Sequence, residues 1–527
     1  MKRIGKWFKP YMALLIAALL LLAGCQAVGG VDFNNVLKQS LKVKSAESKE
    51  TIELKLLLNE NASETYSEEE LELYRLFANT KLELSEVKAQ DEEHASVAGK
   101  LLFGESYNTS IGFKLAVSDT TLVLELEGAK QPFVLDMTED SALFGTTAGE
   151  DEALSDESLT ELSNVIVEAV GGFAIDNLPN PEKLSVTSVK EPINGVDTSL
   201  YKAQAELNGP EIWAWLKSYV DALINDREGL NEMISVVYEA LKAQPEIFES
   251  MGISELESEL DAPTDDEMIE SFGDSVVEML ESVRDGMAQA EQEDGGSLGE
   301  LFNENTYLKA DIYVDKNLDI RKQNIELSFK PQGELLDSMF PLDGFVLNIS
   351  SESWNINGEV KADEAAAPEN AVSLDALMMG QGYEWLQQFD ENSAIYDILK
   401  NKLHIGRQEV YLFADDYLPP IVTPQNVTII PLRYTAEQLG AEVAYDGTTN
   451  KYTVTDEATG TTIVLKKGSD TVVVNGKTTK WQFPVTAVND MLYVPARDFA
   501  SALGAKLQWE SYSGDGSKDM LIISREL

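Results

Sequence analysis

The sequence predicts an α+β protein: a large antiparallel sheet with a helical cover, followed by a small antiparallel β/α module made of two related repeats. Three observations carry this expectation. Apolar residues alternate with period two from about Thr51 to Leu126 and again from about Tyr307 to Ala362, the pattern of strands with one buried face. Between these blocks, over residues 208–290, apolar residues recur at helical spacing. Near the C-terminus "IIPLRYTAEQLGAEVAYD" (429–446) is written again as "YVPARDFASALGAKLQWE" (493–510). Strands, then helices, then strands is the segregated order of an α+β chain, not the alternation of a βαβ sheet.

The first element is not part of the fold. "MKRIGKWFKP" is basic, "YMALLIAALLLL" is apolar and too short to cross a bilayer, and "LAGC" ends at Cys25. A basic head, a short apolar run and small residues at the cut describe a secretory signal. Leu22 to Cys25 resembles the lipobox of bacterial lipoproteins. The resemblance implies a signal peptide over residues 1–24, cleavage before Cys25, and lipid attachment to its sulfur. Two acyl chains anchor stably, at roughly 0.8 kcal/mol per buried methylene. The expected location is the extracellular face of the bacterial cell membrane, and the expected first partner is the membrane itself.

Residues 25–363 form the predicted sheet body. "TIELKLLL" sets Ile52, Leu54, Leu56 and Leu58 on one face. "HASVAGKLLF", "SIGFKLAV" and "TLVLELE" repeat the alternation. Ser158 with Glu161, and Thr264 with Glu267, have the spacing of capping boxes. Pro210 suits a first helical turn. "YLKADIYVD" and "IRKQNIELSF" read as a hairpin, and "FVLNIS" and "SWNINGEVKA" as further strands. A lipidated head, a sheet of successive strands and a helical cover resemble the half-barrel lipoprotein carriers of bacterial envelopes. That resemblance implies a hydrophobic ligand held within the body. "ADEAAAPENA" (362–371) reads as a linker, and residues 364–403 as linker and helical connector.

Residues 404–527 hold the repeats. Pro431, Arg433, Ala436, Leu439, Gly440 and Ala441 reappear as Pro495, Arg497, Ala500, Leu503, Gly504 and Ala505. The pattern predicts a strand ending at the proline, a short helix with Leu432, Ala436 and Leu439 on one face, a glycine C-cap and a second strand. Asn475-Gly476 predicts a tight hairpin turn. This stretch resembles the copper amine oxidase N-terminal-like domain, also called a stalk domain. The resemblance implies two related halves in one compact module. It also implies no catalytic residue, since copper and the modified tyrosine of those oxidases belong to another domain. The first copy departs from the pattern before its proline, where "HIGRQEVYLFADDYLPPIV" is longer than "VNGKTTKWQFPV".

Composition narrows the function. The chain has 527 residues, 91 acidic against 41 basic, for a net charge of -50. Such a surface repels nucleic acid, so no nucleic-acid partner is expected. Cys25 is the single cysteine and there are two histidines, His94 and His404, one in each module, too few for an imidazole-rich copper or zinc site. "DKNLDIRKQNIE" (315–326) has the acidic positions of a calcium loop, but Ile320 stands where the sharp turn needs glycine. No phosphate loop or nucleophile elbow appears. Arg433 and Arg497, at helix starts, read as partners of nearby acids. Trp213, Trp215, Trp385 and Trp481 read as core residues. The expectation is a non-enzymatic, lipid-anchored cell-surface protein without metal or cofactor. Its role would be binding or structural in the envelope, with a polymer or protein partner, or else carriage of a hydrophobic ligand.

Overall fold

A computed structural model describes residues 31–59, 66–104, 106–118, 120–137, 156–244, 264–293, 295–332, 341–511 and 518–527. The predicted signal and Cys25 lie outside the described residues. The chain divides into two compact units. One runs from the first described residues to Glu127 and from Gln131 to Asp375; the other comprises Gly128–Lys130 and Ala376–Leu527.

The first unit is built on one twelve-stranded sheet. Its strands are β1 (Ala46–Leu58), β2 (Asn79–Ala89), β3 (Ala95–Phe103), β4 (Thr109–Ser118), β5 (Thr121–Leu126) and β6 (Phe133–Asp136), then β7 (Leu184–Ile193), β8 (Val196–Asn208), β9 (Tyr307–Val314), β10 (Ile320–Phe329), β11 (Leu342–Trp354) and β12 (Val372–Ser373). Their order is β12-β6-β5-β4-β3-β2-β1-β11-β10-β9-β8-β7. Only the short β12 runs parallel to its neighbour. The fold is therefore mixed α+β, as the strand and helix periodicities predict. Two meanders meet where β1 pairs with β11 in the register Ile52↔Ile349, Leu54↔Leu347, Leu56↔Phe345.

Strands β2 and β7 do not stand out in the sequence. In β2 the register shifts between Leu84 and Glu86, and a bulge of this kind breaks the period-two pattern. The expected strand over "SWNINGEVKA" stops at Trp354, because Asn355 and Asn357 both take φ of 52°, a left-handed conformation that ends a ladder.

Helices cover part of the sheet. Asp32 caps Phe33–Ser40. Helix Gly209–Asn225 starts with a reciprocal Asn208–Glu211 box and Pro210 in its first turn. Arg227–Lys242 and Asp265–Glu293 follow, the second opened by the predicted Thr264–Glu267 box. Helix Asp156–Asp176 begins ahead of Ser158, so Ser158 is an internal position and not its cap. Phe33, Val36, Ile175, Leu178 and Trp215 pack on Ala203, Ala205, Leu308, Ile312, Ile325 and Ile349 in one filled core.

The stretch read as a linker is laced to the sheet. Backbone N–H groups of Ala362, Asp363 and Ala365 donate to Gln90 Oε1, Ser96 Oγ and Ser118 Oγ. Alanine-rich composition shows no period, so this anchoring leaves no trace in the sequence. Helices continue through Gly382–Gln387 and Ala394–Asp397 within the second unit.

The second unit carries three small sheets. Strands β13 (Arg407–Phe413), β23 (Lys506–Glu510) and β24 (Met520–Glu526) form β13-β24-β23. Strands β14 (Ile421–Val422), β15 (Thr428–Pro431), β21 (Thr486–Val488) and β22 (Met491–Pro495) form β14-β15-β22-β21. Strands β16 (Glu442–Asp446), β17 (Lys451–Asp456), β18 (Thr461–Leu465), β19 (Thr471–Val474) and β20 (Lys477–Lys480) lie in chain order. The β19–β20 turn uses Asn475 at φ 49° and Gly476 at φ 77°, the doubly left-handed geometry that suits a two-residue hairpin.

Candidate functional site

Two features of the structure have functional weight, one in each unit. In the first unit the register aligns apolar side chains in rows across many strands. One row runs Ile111, Leu101, Leu82, Ile52, Ile349, Ile325, Ala310, Ala205 and Leu184. Side chains alternate between faces, so Leu54, Leu347, Leu327, Leu308 and Leu207 make a parallel row on the same face. The opposite face presents Glu53, Lys55, Lys81, Glu83, Lys100, Lys202 and Asp311, with pairs such as Lys100–Glu83 at 2.9 Å and Lys202–Asp311 at 2.9 Å. The apolar rows are unequal in burial. At β8, β9 and β10 they lie under the helices, with Ala205, Leu207, Leu308, Ala310 and Ile325 buried. Leu54, Leu82, Leu84, Leu101, Ile111, Phe113 and Leu124, on β1 to β5, are half-buried, whereas Val97, Phe103 and Val117 on the same face are buried.

In the second unit the two copies of the repeated motif pair with each other. Strand β15 is antiparallel to β22, with Ile429↔Pro495, Ile430↔Val494 and Pro431↔Tyr493. Each proline is the N-cap of its helix, not a first-turn residue. The helices Leu432–Gln438 and Ala496–Ala502 end alike. Ala441 N–H donates to Ala436 O and Gly440 N–H to Glu437 O; Ala505 donates to Ala500 O and Gly504 to Ser501 O. With Gly440 at φ 75° and Gly504 at φ 72°, both are Schellman ends. Leu432, Ala436, Leu439, Ala496, Ala500 and Leu503 belong to one buried core, as the spacing of the motif predicts.

One cation ties the two ends together. Arg525, on β24, has a side chain 1% exposed and Asp456, on β17, has one 0% exposed. Arg525 Nη1 donates to Asp456 Oδ2 at 2.5 Å and to Leu503 O at 3.1 Å. Nη2 donates to Asp456 Oδ1 at 3.1 Å and to Leu439 O at 2.6 Å. Nε donates to Gln408 Oε1 at 2.7 Å. All five guanidinium N–H directions thus have an acceptor. Leu439 and Leu503 are the C-caps of the two repeat helices, where the helix dipole favours a positive charge. Burial pushes the Asp456 carboxyl up, but the hydrogen bonds from Arg525 and Thr459 and the Arg525 charge outweigh it and hold it below the usual carboxylate range.

Residues 408–515 match the family model of the copper amine oxidase N-terminal domain. No curated protein matches the chain. The copper amine oxidase N-terminal domain match stops short of β24, so Arg525 lies beyond it while its partners Gln408, Leu439, Asp456 and Leu503 lie within. In this domain Arg433 pairs with Glu437 at 2.9 Å on an exposed helix face, the acid partner expected from sequence, and Arg497 is exposed on the second helix. Arg433, Glu437, Glu442 and Gln381 line a shallow groove beside Gly440.

The other sequence candidates have structural partners. His94 Nδ1 lies 2.8 Å from Asp91 Oδ1, and His404 Nδ1 lies 3.9 Å from Glu526 Oε1. The 315–326 loop is a hairpin turn: Asp315 accepts from Asn317 N–H, Asp319 N–H and Arg321 Nη1. Its carboxylate is thus engaged by its own turn. Trp215 and Trp481 are buried, Trp385 donates to Leu377 O, and Trp213 donates to Glu291. Lipid attachment at Cys25 falls outside the described residues. Sequence reading missed Arg525 and Asp456, although a signal was present. Arg525 shares its strand face with Leu521 and Ile523, and Asp456 shares its face with Val454, and all five are buried. A charge at a buried position of a strand calls for a buried partner.

Proposed function

We propose that this chain is a non-enzymatic, lipid-anchored protein of the bacterial cell envelope that holds a hydrophobic ligand on the apolar face of its twelve-stranded sheet. The half-buried rows on β1 to β5 support this reading. They continue, in register, a face that is buried at Ala205, Leu207, Leu308, Ala310, Ile325 and Ile349, and a stretch of leucine, isoleucine and phenylalanine that stays part-exposed favours an apolar guest. Beneath the helices the same face is taken up by packed core side chains, so the guest is assigned to the β1–β5 side. Purified protein extracted with organic solvent is expected to release a lipid in stoichiometric amount. A fluorescent fatty-acid probe is expected to bind, and the L101Q/I111Q/F113Q variant to bind it at least tenfold more weakly with an unchanged unfolding temperature. A protein that carries no lipid and takes up no probe overturns the ligand reading.

The anchor has its own test. Among the described residues no helix is long and apolar enough to cross a membrane. Cys25→Ala is therefore expected to move the protein from the membrane fraction to the medium, or to leave its signal uncleaved. A processed C25A protein that stays with the membrane overturns the lipoprotein reading.

A further inference from the structure

In an Asn-Gly pair the side-chain amide stands next to a backbone nitrogen that no Cβ shields. The chain contains four such pairs: Asn194-Gly195, Asn208-Gly209, Asn357-Gly358 and Asn475-Gly476. The structure restrains all but the first. Asn208 caps a helix: its Oδ1 accepts from Glu211 N–H at 3.0 Å, its Nδ2 donates to Glu304 Oε2 at 2.8 Å, and Gly209 is buried. Asn357 Oδ1 accepts from Lys44 N–H at 2.9 Å, its own N–H donates to Ser45 O at 2.7 Å, and Gly358 N–H donates to Asn355 O at 3.0 Å. Asn475 Oδ1 accepts from Thr462 N–H at 2.8 Å, and its N–H donates to Thr462 O at 2.9 Å. Asn194 differs. Its N–H donates to Glu352 Oε1, but its side chain makes no hydrogen bond among the described residues. Asn194, Gly195 and Val196 are all exposed. Beyond the chain neighbours, nothing lies within 4 Å of where a Cβ on Gly195 would stand.

Asn194 and Gly195 form the two-residue turn between β7 and β8, closed by the pair Ile193↔Val196, with φ of 47° and 76°. Strand β7 is the last at one edge of the sheet, so the turn has no strand on its outer side, and such exposed tips open at low local cost. We propose that Asn194 is a site of spontaneous conversion to isoaspartate and aspartate, modified ahead of every other Asn-Gly pair in the chain. The chemistry needs only water. The Gly195 backbone nitrogen loses its proton to hydroxide and attacks Cγ of Asn194. A new N–Cγ bond forms, and the side-chain nitrogen leaves as ammonia, taking a proton from water and regenerating hydroxide. Water then adds to the cyclic imide. Opening at the Cγ–N bond gives aspartate, and opening at the bond from N to the Asn194 main-chain carbonyl carbon gives isoaspartate. Each product exchanges an amide for a carboxyl group without oxidation or reduction. A donor held on Oδ1 restrains the amide at Asn208, Asn357 and Asn475 from turning toward the glycine nitrogen, and Asn194 has no such restraint. The new carboxylate arises next to Glu352, which pairs with Lys49 at 3.0 Å, so the modification adds a negative charge beside an existing ion pair.

The test incubates the purified full chain in mildly alkaline buffer and maps its peptides by mass spectrometry, with fragmentation that distinguishes isoaspartate from aspartate. The Asn194 peptide is expected to convert at least tenfold faster than the peptides containing Asn208, Asn357 or Asn475, with isoaspartate the larger product. In urea the four rates are expected to come within about threefold of one another, because unfolding removes the hydrogen bonds that separate them. N194S is expected to lose the new acidic species on ion-exchange chromatography and to keep the parent's unfolding temperature. Asn194 converting no faster than the other three overturns the proposal. A tenfold difference that survives in urea overturns its structural basis, because neighbouring sequence then sets the rate. Acidic species that accumulate equally in N194S place the modification elsewhere and overturn it too. The result does not depend on the hydrophobic ligand of the first unit, and L101Q/I111Q/F113Q is expected to convert at Asn194 as the parent does.

Discussion

Arg525→Met is expected to destabilise the C-terminal unit by about 3–5 kcal/mol, the usual result of breaking a buried pair from one side. The change leaves the Asp456 carboxylate without its main donor and exposes no water to replace it. It also strips the carbonyls of Leu439 and Leu503 of the cation they share. Arg525→Lys is expected to rescue little, because an ammonium has three donors on one atom and cannot span five acceptors in a plane. R525M/D456L is expected to recover much of the loss, since removing both charges avoids the unpaired one. Hydrogen exchange in denaturant, followed on peptides from residues 404–527, measures each case. If R525M exchanges as slowly as the parent, the clamp has no energetic role. The same pair sets an acid limit. The folded Asp456 carboxyl lies below its unfolded value of about 3.9, so its contribution is complete above that pH and is lost as the pH falls through the folded value. R525M is expected to lose this particular acid dependence.

Leu439→Ala and Leu503→Ala are each expected to destabilise the whole unit by about 2–5 kcal/mol. Each leucine is fully buried, and both contribute to the same core. Because β15 and β22 pair directly, a cavity in one copy is felt by the other. Either substitution is therefore expected to lower a single cooperative transition, and deletion of residues 486–527 to unfold the first copy as well. Arg433→Ala, on an exposed ion pair, is expected to change stability by no more than about 1 kcal/mol. Two separate transitions in thermal unfolding, or a first copy that folds alone, would refute the shared core.

The repeated motif was legible because each of its residues has a local duty. Proline ends the strand, leucine and alanine keep one helix face apolar, and glycine takes the left-handed position that Gly440 and Gly504 occupy. Alternation likewise announced β1, β3, β4, β5, β9 and β10, and fixed which face of each is apolar. These are short-range rules, satisfied within about ten residues, so the sequence alone determined them. The capping box at Thr264 belongs to the same class, whereas the Asn208–Glu211 box was not singled out.

Tertiary structure decided what joins distant segments. Nothing local makes β1 pair with β11, or makes β15 pair with β22 in place of closing on its own copy. Nor does local pattern reveal that Arg525 reaches Asp456 and both repeat helices, because the partners are spread from Gln408 to Leu503 and meet only when two sheets and the two repeat helices pack. Propensity and periodicity describe what a segment becomes. Which segments share a desolvated charge, a core or a surface depends on long-range packing, where the free energy of burial and of satisfied hydrogen bonds is decided.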